Sequence, residues 1–320
     1  MTTIDRRHPR WRWSVRRVLL AVVWAPLAAG AQSIPARLDD RTFWHMINEM
    51  SEEGGFFRSD NFVSNETAFQ TVIPRLQEMI PPGSVYVGVG PDQNFTYIAA
   101  LRPSIAFVID IRRQNMLQHL LYKAMIETAD DRAHFLSLLF SRPLPSGADT
   151  ISTAEGLLSA FQAVAADSVA FEKTHARLID VLVKAHGFTL SDEDKAAMKY
   201  VHGAFLVGGP DLSYSFGRGV AGFYGRRAMP TYGELMVATD SAGVQRSYIA
   251  SEANYRTLRD LEQRNLIVPI TGNFAGDKAV RAVGRWVRDH GATVSVLYTS
   301  NVEQYLFQSP DAWSPSATPA

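Results

Sequence analysis

SVYVGVGPDQNFTYIAALRPSIAFVID, residues 84–110, is the stretch on which the fold turns. Pro81-Pro82-Gly83 breaks the chain before it. The first run is short, β-branched and apolar, the pattern of a strand buried on both faces. Gly88-Val89-Gly90-Pro91 then turns the chain, and Asp92 or Asn94 can cap a short helix over Phe95–Leu101. Arg102-Pro103 stops that helix, and Ser104 leads into a second apolar run ending at Asp110. A strand, a tight turn, a helix and a strand form a crossover unit, which is parallel and right-handed. The spacing therefore predicts a central strand over 84–89 with a parallel neighbour over 105–109.

The same pattern returns near the other end of the chain. LIVPIT (266–271) reads as a strand. Asp277 to His290 reads as a helix with Ala279, Val280, Val283, Trp286 and Val287 on one face and Gly291 as its left-handed stop. TVSVLYTS (293–300) reads as a further strand. The predicted class is α/β: a Rossmann-like, doubly wound, mostly parallel sheet.

Helical patterns fill most of the rest. Leu38–Glu53 carries Phe43, Trp44, Ile47 and Met50 at helical spacing after Asp39 or Asp40, and Gly54-Gly55 ends it. Residues 56–76 read as irregular and then helical, with Ser64, Asn65 or Thr67 as caps. Residues 113–207 read as a helical insertion, with capping boxes at Ser152/Glu155 and Ser191/Asp194. Leu157, Leu158, Phe161, Val164 and Ala165 form a core-facing stripe. Glycines and tyrosines thicken over 208–232, as loops over one rim. The expected organisation is a helical segment at 32–80, the α/β domain at 81–308 and a Ser/Pro/Ala-rich disordered tail at 309–320.

The chain has 320 residues with 32 basic, 32 acidic and no cysteine. Disulfides, thiolate metal sites and a cysteine nucleophile are thereby excluded. Residues 1–31 hold six of the basic residues and one of the acidic ones, so the remainder is net −5. A mildly acidic body argues against nucleic acid as a partner. The Arg-rich start, the apolar run Val18–Ala31 and the Ala29-Gly30-Ala31 site are the three parts of a secretory signal, with Gln32 as the new N-terminus. The rival is a membrane anchor. Fourteen helical residues reach only about 21 Å, short of a hydrocarbon core of about 30 Å. The expected localisation is periplasmic or secreted, by the general or the twin-arginine route, with no integral membrane span. The eight histidines form no HxxxH or HxH pair, so no metal site is expected, and no GxSxG elbow is present.

Gly88 and Gly90 at one strand end, with Asp110 at the end of the next, have a chemical logic. Glycine allows close approach of a ligand, the helix N-terminus offers N–H groups, and the carboxylate can accept ribose hydroxyls. NAD wants a third glycine where Gln93 stands, which disfavours a dinucleotide. S-adenosylmethionine sites need only the first glycines and the acid. A tight turn with a solvated acid is the bland alternative. Weaker candidates lie along the same sheet edge. Asn65, Glu66 and Gln70 suit a lid or mere helix capping. Arg112, Arg113 and Asn115 suit a base or phosphate, or simple solvation. Asn273, Asp277, Asn301, Glu303 and Tyr305 follow later strands, with Glu303 a possible general base or an ordinary helix-start residue.

GFFRSDNFVSNETAFQ (55–70), VYVGVGPDQNFTYIAALRPSIAFVIDIRRQN (85–115), IVPITGNFAGDKAVRAVG (267–284) and YTSNVEQYLF (298–307) resemble a bacterial family of uncharacterised proteins with a methyltransferase-like Rossmann fold, typified by a Leptospira protein. The resemblance covers most of the chain after residue 31. It implies a class I methyltransferase-like sheet with a helical insertion and S-adenosylmethionine as the cofactor. Gly88, Gly90 and Asp110 match the general S-adenosylmethionine-binding positions, and the expected cofactor-binding set is these three with the neighbouring Pro91, Asp92, Asn94 and Arg112. The sequence departs from that pattern at Tyr86, where an acid is usual, and at Asp92, where a third glycine is usual. Export would separate the protein from a cytosolic cofactor. The alternative is therefore an exported, non-catalytic binding protein, with a contact surface in 208–232 that includes Tyr214, Phe223 and Tyr224.

Overall fold

A computed structural model describes residues 33–57, 59–214 and 229–306. The expected signal segment 1–31, the expected disordered tail 309–320 and the candidates Phe223 and Tyr224 lie outside the described residues. Four strands, β1 (Val85–Gly88), β2 (Ile105–Asp110), β3 (Ile267–Thr271) and β4 (Val294–Tyr298), form one sheet in the order β3-β2-β1-β4. Every pairing is parallel. β1 is thus interior and β2 pairs beside it, with Val85 opposite Ile105 and Gly88 opposite Val108. β1, β2 and β3 are buried at every residue, as their unbroken apolar runs require. β4 is an edge strand and alternates half-buried with exposed residues.

This order is the first half of a doubly wound sheet. The chain steps outward from β1 to β2 to β3, then returns past β1 to β4. The reversal puts a switch point between the carboxyl ends of β1 and β4, where open α/β sheets form their ligand crevice. Right-handed crossovers place α3 (Gln93–Leu101) on one face and the helix between β3 and β4 on the other. Phe107 of β2 meets Trp286 of that second helix edge-on, with ring centres 5.4 Å apart.

Twelve α-helices are present among the described residues. α1 (Asp40–Met50) is capped by Asp39, whose Oδ1 accepts from Thr42 N at 2.8 Å, and it packs on β3. α2 (Ile73–Met79) follows a 3-10 turn over Phe69–Val72 and has no side-chain cap, so Ser64, Asn65 and Thr67 do not serve there. The β2–β3 connection holds α4 (Arg113–Thr128), α5 (Arg132–Phe140), α6 (Ala154–Gln162), α7 (Ser168–Asp180), α8 (Asp192–Gly208), α9 (Tyr232–Val237) and α10 (Glu252–Gln263). The insertion thus runs past 207, because α9 and α10 must return the chain to β3. α4 is buried on nearly all sides and packs against β2, β3 and α8. The capping box at Ser191/Asp194 is present. At α6 the cap is Thr153, whose hydroxyl accepts from Gly156 N, and not Ser152. α11 (Ala279–Asp289) lies between β3 and β4. α12 (Val302–Leu306) follows β4. No described helix is long and apolar enough to cross a membrane.

Candidate functional site

A cavity of about 550 Å³ opens over the carboxyl ends of all four strands. Its lining includes Gly90 and Pro91 after β1, Asp110, Ile111 and Arg112 after β2, Gly272–Ala275 after β3, and Ser300 and Asn301 after β4. Its volume is that of a small-molecule site.

The floor is a buried ion pair. Arg112 donates from Nε to Asp110 Oδ1 at 3.0 Å and from Nη2 to Oδ2 at 2.8 Å, while its backbone N–H reaches Oδ1 at 2.9 Å. Arg112 Nη1 also donates to the Asp60 carbonyl, so one guanidinium fastens the loop 51–68 to the end of β2. A carboxylate has about four acceptor positions. Three are engaged here, which leaves room for about one ligand hydroxyl on Oδ2 unless Arg112 moves.

The turn after β1 is filled by the protein itself. A Cβ on Gly88 would lie 2.0 Å from Asn94 Oδ1 and 2.7 Å from the Tyr86 ring. Gly88 therefore makes room for these two side chains, and the cavity wall begins at Val89. Gly90 has φ +85°, a left-handed conformation that favours glycine. Asn94 Nδ2 donates to the carbonyls of Val89, Gly90 and Pro91 at 3.0, 3.1 and 2.7 Å, and its Oδ1 accepts from Tyr86 Oη at 2.8 Å. His119 of α4 donates from Nε2 to the Gly90 carbonyl at 3.0 Å; burial lowers its pKa to about 4, so the ring is neutral.

Asp92 occupies the N-cap position of α3 yet makes no side-chain cap. It points inward, where Tyr248 Oη donates to its Oδ2 at 3.1 Å and Tyr232 Oη lies 2.9 Å from Tyr248 Oη. Burial among these rings raises its pKa to about 7.

Of the seven residues expected to bind a cofactor, Gly90, Pro91, Asp110 and Arg112 line the cavity. Gly88, Asp92 and Asn94 stand behind it and hold the turn. Among the weaker candidates, Asn65, Asn273, Asn301 and Tyr305 also line it. Glu66 accepts from Tyr298 Oη at 2.9 Å and from Ser300 Oγ, tying its loop to the end of β4. Gln70 is buried, donating to the Leu235 carbonyl and accepting from Arg246 N–H. Arg113 pairs with Asp194 through two bonds of 2.7 and 2.8 Å, joining the starts of α4 and α8. Asn115 is fully buried in α4. Asp277 pairs with Arg281 on the surface, and the first N–H of α11 goes instead to Glu52 Oε1 at 2.7 Å. Glu303 is exposed and does not line the cavity.

Several lining residues escape a reading of the sequence. Phe56, Phe57, Asn61 and Phe274 reach the cavity from loops remote in the chain from β1 and β2, and Gln93 reaches it from the first turn of α3. The one local signal was Phe56-Phe57, an aromatic pair inside a polar, glycine-led loop. Among the described residues of the 208–232 stretch, Tyr214 lines this site.

A family model, described as a domain of unknown function (DUF7790), matches residues 61–156 and 221–314. These two segments contain all four strands and the loops after them. Comparison with curated proteins finds no match.

Proposed function

The chain belongs to the DUF7790 family, and we propose that it binds a nucleoside-type small molecule in the cleft over its strand ends, with S-adenosylmethionine the first candidate. The observation that carries this reading is the 550 Å³ cavity at the switch point, with the Asp110 carboxylate on its floor. A ribose hydroxyl fits the acceptor position left on Asp110, and a base fits among Phe57, Phe274 and Tyr305. S-adenosylmethionine would supply an electrophilic sulfonium methyl. The chain's own part would be to bind, orient and exclude water.

Among the described residues, the two charged ones that line the cavity, Asp110 and Arg112, are bonded to each other. That pairing favours a cleft that holds and orients its ligand over one that moves protons. It equally supports the second reading, an exported binding protein that keeps the fold without methyl transfer.

Calorimetry of the chain against S-adenosylmethionine, S-adenosylhomocysteine, NAD and AMP tests the proposal. Asp110→Ala alone would strand a buried guanidinium, at a cost of about 3–5 kcal/mol. The informative variant is therefore the charge-neutral pair Asp110→Asn with Arg112→Gln. It should melt near the unaltered protein and bind the nucleoside about tenfold or more weakly. Unchanged affinity, or no binding of any nucleoside to the unaltered chain, would defeat the reading.

A further inference from the structure

We infer that the outer half of the cavity takes an apolar, ring-bearing molecule whose one hydrogen-bond donor points inward at Gln93. The inference rests on the cleft being a small-molecule site and does not require the ligand to be a nucleoside.

The mouth is apolar. Phe56 is 89% exposed yet lines the cavity. Phe57, Ile111, Phe274, Val302 and Leu306 stand around it, half-buried. They come from four separate segments: the loop after α1, the ends of β2 and β3, and α12. Single exposed apolar residues are ordinary, but a ring of them around a concave mouth marks a binding site. Phe57 is held in place by Tyr305, edge-on at 5.0 Å.

The inner wall sets the polarity of the ligand's head. Gln93 is 3% exposed and lines the cavity. Its Nε2 donates to the Val89 carbonyl at 3.0 Å, which fixes the amide orientation and leaves Oε1 as the acceptor. Oε1 is buried and has no partner among the described residues. A buried acceptor of this kind is stabilised by a donor, and a second acceptor would repel it. An apolar body with one N–H or O–H matches mouth and wall together.

N-Phenyl-1-naphthylamine is such a molecule: two apolar ring systems, one N–H, and fluorescence that rises on leaving water. It should bind the unaltered chain one to one. Phe56→Ser combined with Phe57→Ser should weaken it about tenfold or more while melting stays near that of the unaltered chain, since neither ring packs on the core. 1-Phenylnaphthalene, which lacks the N–H, should bind about tenfold more weakly than the amine. No fluorescence change, or affinity indifferent to the two Phe substitutions, would overturn the apolar mouth. Equal affinity for the two probes would overturn the role of Gln93. A nucleoside titration run beside these separates the claims: probe binding without nucleoside binding leaves this inference standing and removes the nucleoside, and the reverse removes this inference alone.

Discussion

Around one cavity, the turn after β1 and the segments at the mouth differ in almost every physical respect. Residues 88–94 are buried throughout, and the turn is held from within: Asn94 bonds the carbonyls of Val89, Gly90 and Pro91, Gln93 bonds the Val89 carbonyl as well, and Tyr86 bonds Asn94. Phe56, Phe57 and Leu306 are open to solvent in whole or part, line the cavity and stand outside the core. The difference teaches where stability and recognition separate. A glycine turn at a switch point invites a ligand-based explanation, yet here its first glycine answers to internal packing. Recognition belongs to the loops that the sheet holds in position. Substitutions in the turn should therefore cost stability first, and substitutions at the mouth should cost binding alone.

The largest effect is expected at Gly88. A side chain there meets Asn94 Oδ1 at 2.0 Å and two Tyr86 atoms at 2.7 Å, and both partners are themselves locked in the core. Gly88→Val should leave little folded protein, or lower the melting temperature by about 10 °C or more. A variant that melts with the unaltered chain would mean the turn has slack, and the contrast with the mouth would fail.

Asp92 comes next, and its effect depends on pH. In the unfolded chain it ionises near the ordinary carboxyl value of 3.8; in the fold it holds its proton to about 7. The folded state thus binds the extra proton between these values, and stability falls as pH rises from about 4 to about 7, then levels off. The span corresponds to something on the order of 4 kcal/mol. Glu262, raised by burial to about 8, adds a slope of the same sign. His119 and His202, lowered by burial to about 4, oppose it below about 6.5. Asp92→Asn isolates one group: it should match the unaltered chain near pH 4 and melt clearly higher at pH 8. Parallel melting curves at the two pH values would show that Asp92 is ionised and satisfied in the fold.

Asn94→Ala should rank third. It removes three donor contacts to carbonyls and leaves the Tyr86 hydroxyl buried without its acceptor. The expected loss is about 2–4 kcal/mol, read by chemical denaturation. A loss under about 0.5 kcal/mol, within the range of an ordinary surface change, would show that the amide is replaceable and the turn less self-contained than its bonds imply.

How much of this was legible in the sequence follows from how local each signal was. β1, α3 and β2 lie within 26 residues, and their apolar runs, breaks and caps are all neighbours in the chain, so their order and parallel pairing could be read directly. The reach of the insertion could not. The β2–β3 connection extends through α9 and α10, and only packing reveals that Glu262 comes back against Lys123 of α4 and Leu266 beside Ala106 of β2. At the site, Asp110 and Gly90 were legible because a strand end announces itself. The engagement of Asp110 by Arg112 was not, since the same two residues with the arginine turned outward would have looked identical. Phe274 and Leu306 were invisible for another reason: each is unremarkable in its own segment and gains meaning only when the sheet brings four segments to one mouth.

The smallest effect on stability is expected at Phe56, and it is the one that sharpens the comparison most. The side chain is 89% exposed, so the fold gains little from it. Replacing it by serine removes apolar surface from water in the folded and unfolded states alike, and the change in stability should stay within about 0.5 kcal/mol. If the mouth were instead a packed extension of the core, Phe56→Ser would open a cavity and cost about 3 kcal/mol or more, as large-to-small changes in cores do. Denaturant titration of the single variant decides between these values. A near-zero result beside a large loss at Gly88 would place stability in the turn and leave the mouth free to be shaped by what it binds. A loss approaching that at Asn94 would mean that Phe56 is held by contacts inside the chain, and the division between a self-packed floor and an open mouth would no longer hold.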